Sequence, residues 1–248
     1  MVEQRLVNYY FQPIFSGKTG RPFAYEALMR VNLPNLRSPA TVLNIAKESD
    51  RMHEMEAITF FRASECYMEL LGKEMVDTEA FLFINSIANV CMTLEEESEF
   101  HERFSSLQSN IVIEITEEES MDMNLTERKR NAKGFSGMLA LDDYGSGYNT
   151  EINLLELHPK FVKVDITIVR DIDTDLNKQQ IVSNLVDYAH KRDMLVIAEG
   201  LETASELKKC LELGVDLLQG YYLARPQAVP PAISHDAYMV ISEFSGTP

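Results

Sequence analysis

Residues 194–220 read MLVIAEGLETASELKKCLELGVDLLQG and join two short apolar runs through a helical pattern. The first run, Met194–Ala198, is too apolar for a strand with one face in water, which indicates a strand buried on both faces. Thr203 is a suitable N-cap for a helix over Ala204–Leu213. The second apolar run, Val215–Leu218, follows at once. The stretch therefore predicts a strand–helix–strand unit of a parallel sheet.

The same alternation extends along the whole chain of 248 residues. The apolar runs that predict strands are Val7–Phe15, Phe23–Met29, Ala80–Asn85, Asn110–Ile115, Gly137–Leu141, Phe161–Val164, Met194–Ala198 and Val215–Leu218. Between them, helical patterns cover Ser38–Ser49, Met55–Leu71, Lys178–Lys191 and Ala204–Leu213. Eight strands with intervening helices favour an α/β barrel of the (β/α)8 type, and an open doubly wound sheet is the alternative. The length fits one barrel, so a single domain over residues 1–248 is predicted.

Composition restricts the class of ligand. The formal net charge is −16, which argues against a groove for long nucleic acid but allows a small anionic substrate if bound cations reverse the local field. The three cysteines form no zinc-binding spacing and predict a reducing, cytoplasmic environment. The sequence contains no apolar run of about 20 residues and no signal peptide, so it predicts a soluble protein without a membrane segment.

Polar residues lie in or directly after most of the predicted strands. They are Glu26, Asn85, Glu114, Asp142, Asp143, Lys163, Asp165, Glu199 and Gln219. The carboxyl ends of barrel strands meet at one mouth, where active sites form. Oxygen ligands without His or Cys suit Mg2+ or Mn2+, and two such ions can clamp a phosphodiester for in-line attack. For Lys163 two interpretations remain open: a residue that orients water or stabilises phosphate charge, or a structural salt bridge.

Several ordered motifs accompany these residues. They are Phe11-Gln-Pro-Ile14, Tyr25-Glu-Ala-Leu-Met-Arg30, Glu114-Ile-Thr-Glu117, Asp142-Asp-Tyr-Gly-Ser-Gly-Tyr148, Val162-Lys-Val-Asp165, Ala198-Glu-Gly-Leu-Glu-Thr203 and Leu218-Gln-Gly-Tyr221. In this order the chain resembles the EAL-domain family of cyclic di-GMP phosphodiesterases from about Tyr9 to Pro226. The tripeptide Glu26-Ala27-Leu28 alone would carry little weight, whereas the ordered set is specific.

The resemblance implies a role for each matching residue. The metal ligands would be Glu26, Asn85, Glu114, Asp142, Asp143 and Glu199, holding two Mg2+ or Mn2+ ions. Lys163 would contact the catalytic water, and Asp165, Glu202 and Gln219 would support the network of metal and water. Substrate contacts would come from Gln12, Leu28 and Arg30, and the loop that completes the second metal site would involve Glu117, Gly145 and Gly147. The resemblance also implies an antiparallel first strand, a homodimer, and hydrolysis to linear 5′-pGpG by attack of metal-bound water.

Other functions are compatible with parts of the pattern. A catalytically silent receptor for cyclic di-GMP is one alternative, although every expected ligand is present. A metal-independent glycosidase with two carboxylates as acid and base is another, and the crowding of six oxygen ligands counts against it. The glycines between Gly145 and Gly147 fit a tight turn as well as a functional loop. The pair His235-Asp236 lacks the further histidines that a metal-dependent phosphohydrolase of the HD type needs.

Overall fold

The computed structural model describes residues 7–32, 38–87, 89–116, 122–132, 135–146 and 151–246. Its strands form a closed barrel in sequence order, β1 to β8. The strands are β1 (Val7–Ser16), β2 (Pro22–Val31), β3 (Phe81–Ser86), β4 (Ile111–Thr116), β5 (Met138–Tyr144), β6 (Phe161–Val164), β7 (Leu195–Ala198) and β8 (Leu217–Leu218). The closed sheet confirms the predicted barrel and excludes the open doubly wound alternative.

Helices connect the strands from β2 onward and surround the barrel. They are α1 (Pro39–Glu48), α2 (Met52–Leu71), α3 (Leu94–Arg103), α4 (Met123–Arg130), α5 (Glu151–Leu157), α6 (Ile166–Val169), α7 (Leu176–His190), α8 (Ala204–Glu212) and α9 (His235–Ser245). Thr203 caps α8 as predicted, because its hydroxyl accepts a hydrogen bond from the backbone N–H of Glu206. None of the helices within the described ranges has the length and apolar character needed to cross a bilayer.

The first strand is antiparallel to both of its neighbours, and the remaining neighbours pair in parallel. Only residues 17–21 separate β1 from β2. Five residues suffice for a hairpin, whereas a parallel crossover needs a dozen or more. The antiparallel first strand is therefore confirmed and has a local cause in the short β1–β2 connection. One consequence is that Gln12 lies directly opposite Glu26 in the β1–β2 ladder.

The barrel interior is filled by one buried apolar layer to which each strand contributes a residue. The layer consists of Ile14, Ala24, Phe83, Val112, Ala140, Phe161, Ile197 and Leu217. Half-buried Phe23, Phe81, Met138 and Leu195 pack against it. The interior is thus a packed core and supports the residues at the carboxyl ends of the parallel strands.

Candidate active site

A polar layer lies directly next to this apolar layer. Side chains two positions apart on a strand share a face, so the residue two places beyond each apolar layer position also points into the barrel. In β1, which runs the other way, it is the residue two places before. The polar layer consists of Gln12, Glu26, Asn85, Glu114, Asp142, Lys163, Glu199 and Gln219. The fold thus brings the eight predicted site residues of this layer into one ring.

Lys163 is the centre of the ring. Its side chain is 1% exposed, and its ammonium lies 2.5 Å from Glu114 Oε1, 2.7 Å from Glu199 Oε1 and 2.9 Å from Asp142 Oδ1. Glu26 Oε2 is 3.7 Å away. These carboxylates come from four different strands or strand ends. The salt-bridge interpretation of Lys163 therefore describes its contacts correctly, and those contacts all lie within the candidate site.

Amide side chains orient the carboxylate of Glu26. Gln219 Nε2 donates a hydrogen bond of 2.5 Å to Glu26 Oε2, and Asn85 Nδ2 donates one of 3.3 Å to Glu26 Oε1. Gln12 Nε2 donates to the backbone oxygen of Ala224 at 3.1 Å. Glu26 is thus held from both sides, and the buried Gln219 Oε1 accepts no hydrogen bond from the described residues.

Burial and mutual repulsion shift the pKa values of these groups. Burial raises the pKa of Glu114 well above its ordinary range, although Lys163 opposes the shift. Burial likewise raises the pKa of Glu199 to about 8, and burial together with the Asp142 carboxylate raises that of Asp143 to about 6. Burial by itself lowers the pKa of Lys163, but the surrounding carboxylates outweigh it, so the net pKa is raised. The cluster therefore contains more carboxyl groups than its single ammonium can keep ionised.

The residues fit hard divalent cations. Carboxylate oxygens of Asp142, Asp143 and Glu199 all lie within 4.8 Å of one another. Within the described part of the chain, the buried Glu114 Oε2 accepts no hydrogen bond, which is a costly state for a carboxylate oxygen. Carboxylate and amide oxygens are the ligands that Mg2+ and Mn2+ prefer. A bound cation would favour the ionised form of these carboxyl groups and would give the unpartnered Glu114 oxygen a partner.

The backbone after Asp142 is unusual. Asp143 has a φ of 56°, a left-handed conformation that non-glycine residues seldom adopt and that is concentrated at functional sites. Gly145 has a φ of 101°, and a Cβ built on it would lie 2.6 Å from Ile168 Cγ1. Only glycine fits this close approach of the β5 end to α6. Gly145 thus fixes the backbone path two residues after Asp143.

The ring opens into a cavity of about 380 Å³. Asp165 and Glu202 line it, and each has a structural partner as well. Asp165 caps α6 by accepting a hydrogen bond of 2.9 Å from the backbone N–H of Thr167, and Glu202 Oε2 lies 2.5 Å from Arg170 Nη1. Both predicted residues thus border the site without belonging to the ring.

Arg30 lies outside this cavity. Its guanidinium lies 5.0 Å from the centre of the Tyr10 ring and donates a hydrogen bond of 2.9 Å to the backbone oxygen of Met29. It borders a neighbouring groove of about 460 Å³, which Asn85 also borders. Leu28 lines both the cavity and the groove. The predicted substrate contacts Gln12, Leu28 and Arg30 are therefore spread over two adjoining spaces.

Some site residues follow from the fold alone. Ile166, Gly200 and Gly220 line the cavity although the sequence analysis assigned them no role. A Cβ on Gly220 would overlap the backbone of Leu201, so the close approach of two loops requires glycine there. Nothing in the local sequence distinguishes this glycine from one in an ordinary turn. The predicted residues Glu117 and Gly147 lie outside the described residues.

Comparison with known proteins identifies relatives over most of the chain. The family model described as EAL domain matches residues 1–226. The probable cyclic di-GMP phosphodiesterase PdeG of Escherichia coli K12 is 27% identical over 225 residues, which is 88% of this chain and 44% of PdeG. The chain therefore spans less than half the length of this relative.

Solved structures of similar chains are known with the nucleotide bound. A standalone EAL protein from Vibrio cholerae O395 in its c-di-GMP-bound form superposes with a TM-score of 0.78 at 28% identity, covering 93% of this chain and 97% of that one. BlrP1 of Klebsiella pneumoniae, in a complex with manganese and cyclic di-GMP, superposes with a TM-score of 0.72 at 26% identity, covering 90% and 56% of the two chains. The barrel described above is the fold of these proteins.

Proposed function

Because the chain belongs to the EAL domain family, we propose that it hydrolyses cyclic di-GMP to linear 5′-pGpG with the help of divalent metal ions. The observation that carries the proposal is the convergence of carboxylates from four strands or strand ends on Lys163 at one mouth of the barrel. The relatives named above support the substrate, since two of them were solved with this dinucleotide bound.

The residues of the ring, together with Asp143, would have distinct roles in the reaction. Glu26, Asn85, Glu114, Asp142, Asp143 and Glu199 would hold two ions, Mg2+ or Mn2+. Such ions lower the pKa of water and stabilise charge on the attacking and leaving oxygens of a phosphodiester. Lys163 would donate a hydrogen bond to the attacking water and so fix its direction. The water oxygen would form a bond to phosphorus as the water gives up a proton, the bond from phosphorus to the 3′-oxygen would break, and the 3′-oxygen would take up a proton in turn.

Other residues in and beside the ring would support the metal ligands. Asp165, Glu202 and Gln219 would hold the ring side chains and the water in place, and Gln219 already fixes Glu26. Gln12 and Leu28 would contact the dinucleotide in the cavity, and Arg30 would meet a phosphate from the adjoining groove. Glu117, Gly145 and Gly147 would position the segment that brings Asp143 to the second ion.

We extend the proposal to assembly and location. Ile152 and Leu155 of α5 and Leu176 of α7 are exposed apolar side chains. Ile152 and Leu155 are three residues apart and share one face of α5, and an exposed apolar face of this kind supports a homodimer. The cysteines Cys66, Cys91 and Cys210 are all free, which supports a cytoplasmic location.

The proposal is tested by the hydrolysis of cyclic di-GMP with Mg2+ or Mn2+, with linear 5′-pGpG as the product to be detected. Glu26→Gln keeps the size of the side chain but removes its charge and one of the two oxygens that accept hydrogen bonds from Asn85 and Gln219. We expect it to lower turnover by at least about a hundredfold, the loss that follows when a group that stabilises charge at a reaction centre is removed. Glu102→Gln, an exposed residue of α3, is the matched control and should retain full activity.

The outcomes separate the two functions left open by the sequence. Product formation that a chelator abolishes supports the metal-dependent enzyme. Binding of the dinucleotide without product under any ion would instead establish a receptor. Full activity after complete removal of divalent ions would contradict the proposed metal site.

A further inference from the structure

A buried ion pair lies outside the barrel, directly behind the end of β3. Lys129 of α4 and Glu56 of α2 have side chains that are 4% and 2% exposed, and their charged groups are 2.8 Å apart. Neither residue lines the cavity of the candidate site. Isolated charges are costly inside a protein, so a buried pair calls for an explanation beyond packing.

Both partners also form hydrogen bonds with Ser86, the last residue of β3, and with Ile87, which follows it. Lys129 Nζ donates hydrogen bonds of 2.5 Å to Ser86 Oγ and to the backbone oxygen of Ile87. Ser86 Oγ donates one of 2.6 Å to Glu56 Oε1, and the backbone N–H of Ile87 donates one of 2.8 Å to Glu56 Oε2. The three N–H bonds of the ammonium thus each have an acceptor. A network satisfied in this way is rigid and favours one geometry.

The end of β3 needs such a restraint on one side. Its ladder with β4 continues through Asn85 and Ser86, but its ladder with β2 stops at Ile84, which pairs with Ala27. Beyond that point the described ladder holds β3 on one edge alone. Ser86 points outward to the ion pair, and Asn85, its neighbour, points inward to Glu26. Fixing Ser86 and the following peptide therefore fixes the direction of the Asn85 side chain.

We infer that Glu56 and Lys129 are positioning residues that orient Asn85 toward the metal site. This inference rests on the proposed function. Stability alone is a weak explanation, because replacing a buried ion pair with apolar residues of similar volume is often neutral or stabilising. What an apolar pair would not supply is the set of hydrogen bonds to Ser86 and Ile87.

The test compares two double variants with the full-length wild-type chain. Glu56→Met/Lys129→Met removes the network but keeps apolar volume behind β3. Glu97→Met/Arg128→Met is the matched control, because Arg128 is the neighbour of Lys129 on α4 and its carboxylate partner is 3.1 Å away. Among the described residues, the hydrogen bonds of Arg128 go to Met92 and Glu97 and not to β3. The affinity for Mn2+ is measured by calorimetry well below the melting temperature of each variant.

We expect the first double variant to bind Mn2+ about ten- to hundredfold more weakly, the usual effect of losing a residue that holds a metal ligand. The control should stay within about threefold of the wild type. A folded Glu56→Met/Lys129→Met protein with affinity also within about threefold would overturn the inference while the proposed function stands. A wild-type chain that binds no Mn2+ would overturn both.

If the double variant does not fold, a smaller substitution tests the same positioning role. Ser86→Ala removes one hydroxyl and leaves the ion pair in place. An Mn2+ affinity reduced by more than about threefold, with an unchanged melting temperature, supports positioning through Ser86. An unchanged affinity in this variant would contradict it.

Discussion

At the scale of the residue, the ring around Lys163 explains why single positions were hard to interpret from the sequence. A lysine in an apolar run is compatible with a structural salt bridge or with a role at an active site. In the structure its partners Glu114, Asp142 and Glu199 belong to the same ring of candidate metal ligands. The two interpretations are therefore compatible, since the ammonium that pairs with these carboxylates lies among the candidate metal ligands.

The raised pKa values predict how metal affinity depends on pH. Asp143 has a pKa of about 6 and Glu199 a pKa of about 8, so both hold protons over part of the range from pH 6 to pH 8. Metal ligands, in contrast, must be ionised. Ion binding then displaces protons, so affinity rises as the pH rises from about 6 to about 8 and levels off above. Calorimetric titration with Mn2+ at three pH values, in buffers with different ionisation enthalpies, measures both the affinity and the number of protons released.

A matched variant isolates the contribution of one group. Glu199→Gln cannot release a proton, so its weaker Mn2+ binding should depend less steeply on pH between 7 and 8 than that of the wild type. Equal affinity of the wild-type chain at pH 6 and pH 8, with no proton release, would show that the carboxylates are already ionised without the metal.

At the scale of the element, the segment after β5 connects backbone conformation to the site. Gly145→Ala should strain a left-handed residue and push against Ile168, which displaces the neighbouring Asp143. We expect turnover of cyclic di-GMP to fall by about a hundredfold, as small misplacements of reacting groups can produce. The free energy of unfolding should fall by about 1–3 kcal/mol, which denaturant titration measures.

Gly246→Ala is a control that separates the effect of backbone strain from the effect of displacing Asp143. Gly246 also has a positive φ, of 65°, but a Cβ there meets no atom within 4 Å, and it follows α9, whose residues do not line the cavity. This variant should lose some stability and keep full turnover. If both variants keep full turnover, the close approach at Gly145 does not position Asp143.

The sequence predicted the strands well because barrel strands are buried on both faces. Phe161–Val164 has the predicted bounds, and all four of its side chains are buried. The four-residue helix α6 was not predicted, since one apolar turn directly after a strand has no helical period of its own. The polar layer was largely predicted, because most of its members lie in or directly after an apolar run, whereas Gln12 was assigned only through the family resemblance. The ion pair of Glu56 with Lys129 was not, because its partners are 73 residues apart and on different helices.

At the scale of the whole molecule, the candidate ligands come from β2, β3, β4 and β5 and from the end of β7. A bound ion would therefore connect strands that are up to about 170 residues apart along the chain, and it would do so only in the folded state, where the chain is confined to one geometry. The barrel closes between β1 and β8 through the pairs Phe15–Leu218 and Ser16–Leu217. Gln219, directly after β8, donates a hydrogen bond to Glu26 on β2, on the far side of β1. The polar ring therefore also connects the two ends of the sheet where the barrel closes.

This arrangement predicts that divalent ions stabilise the fold. Ligand that binds only the folded state at 100 times its Kd adds about 2.7 kcal/mol, which for a chain of this size raises Tm by about 5–10 °C. Thermal unfolding followed by circular dichroism, with Mn2+ and then with excess chelator, measures the shift. Asp142→Asn should abolish most of it, whereas Glu102→Gln should show the full increase. If Mn2+ leaves the wild-type Tm unchanged at saturating concentration, the ring is held by Lys163 alone and does not bind metal in the folded protein.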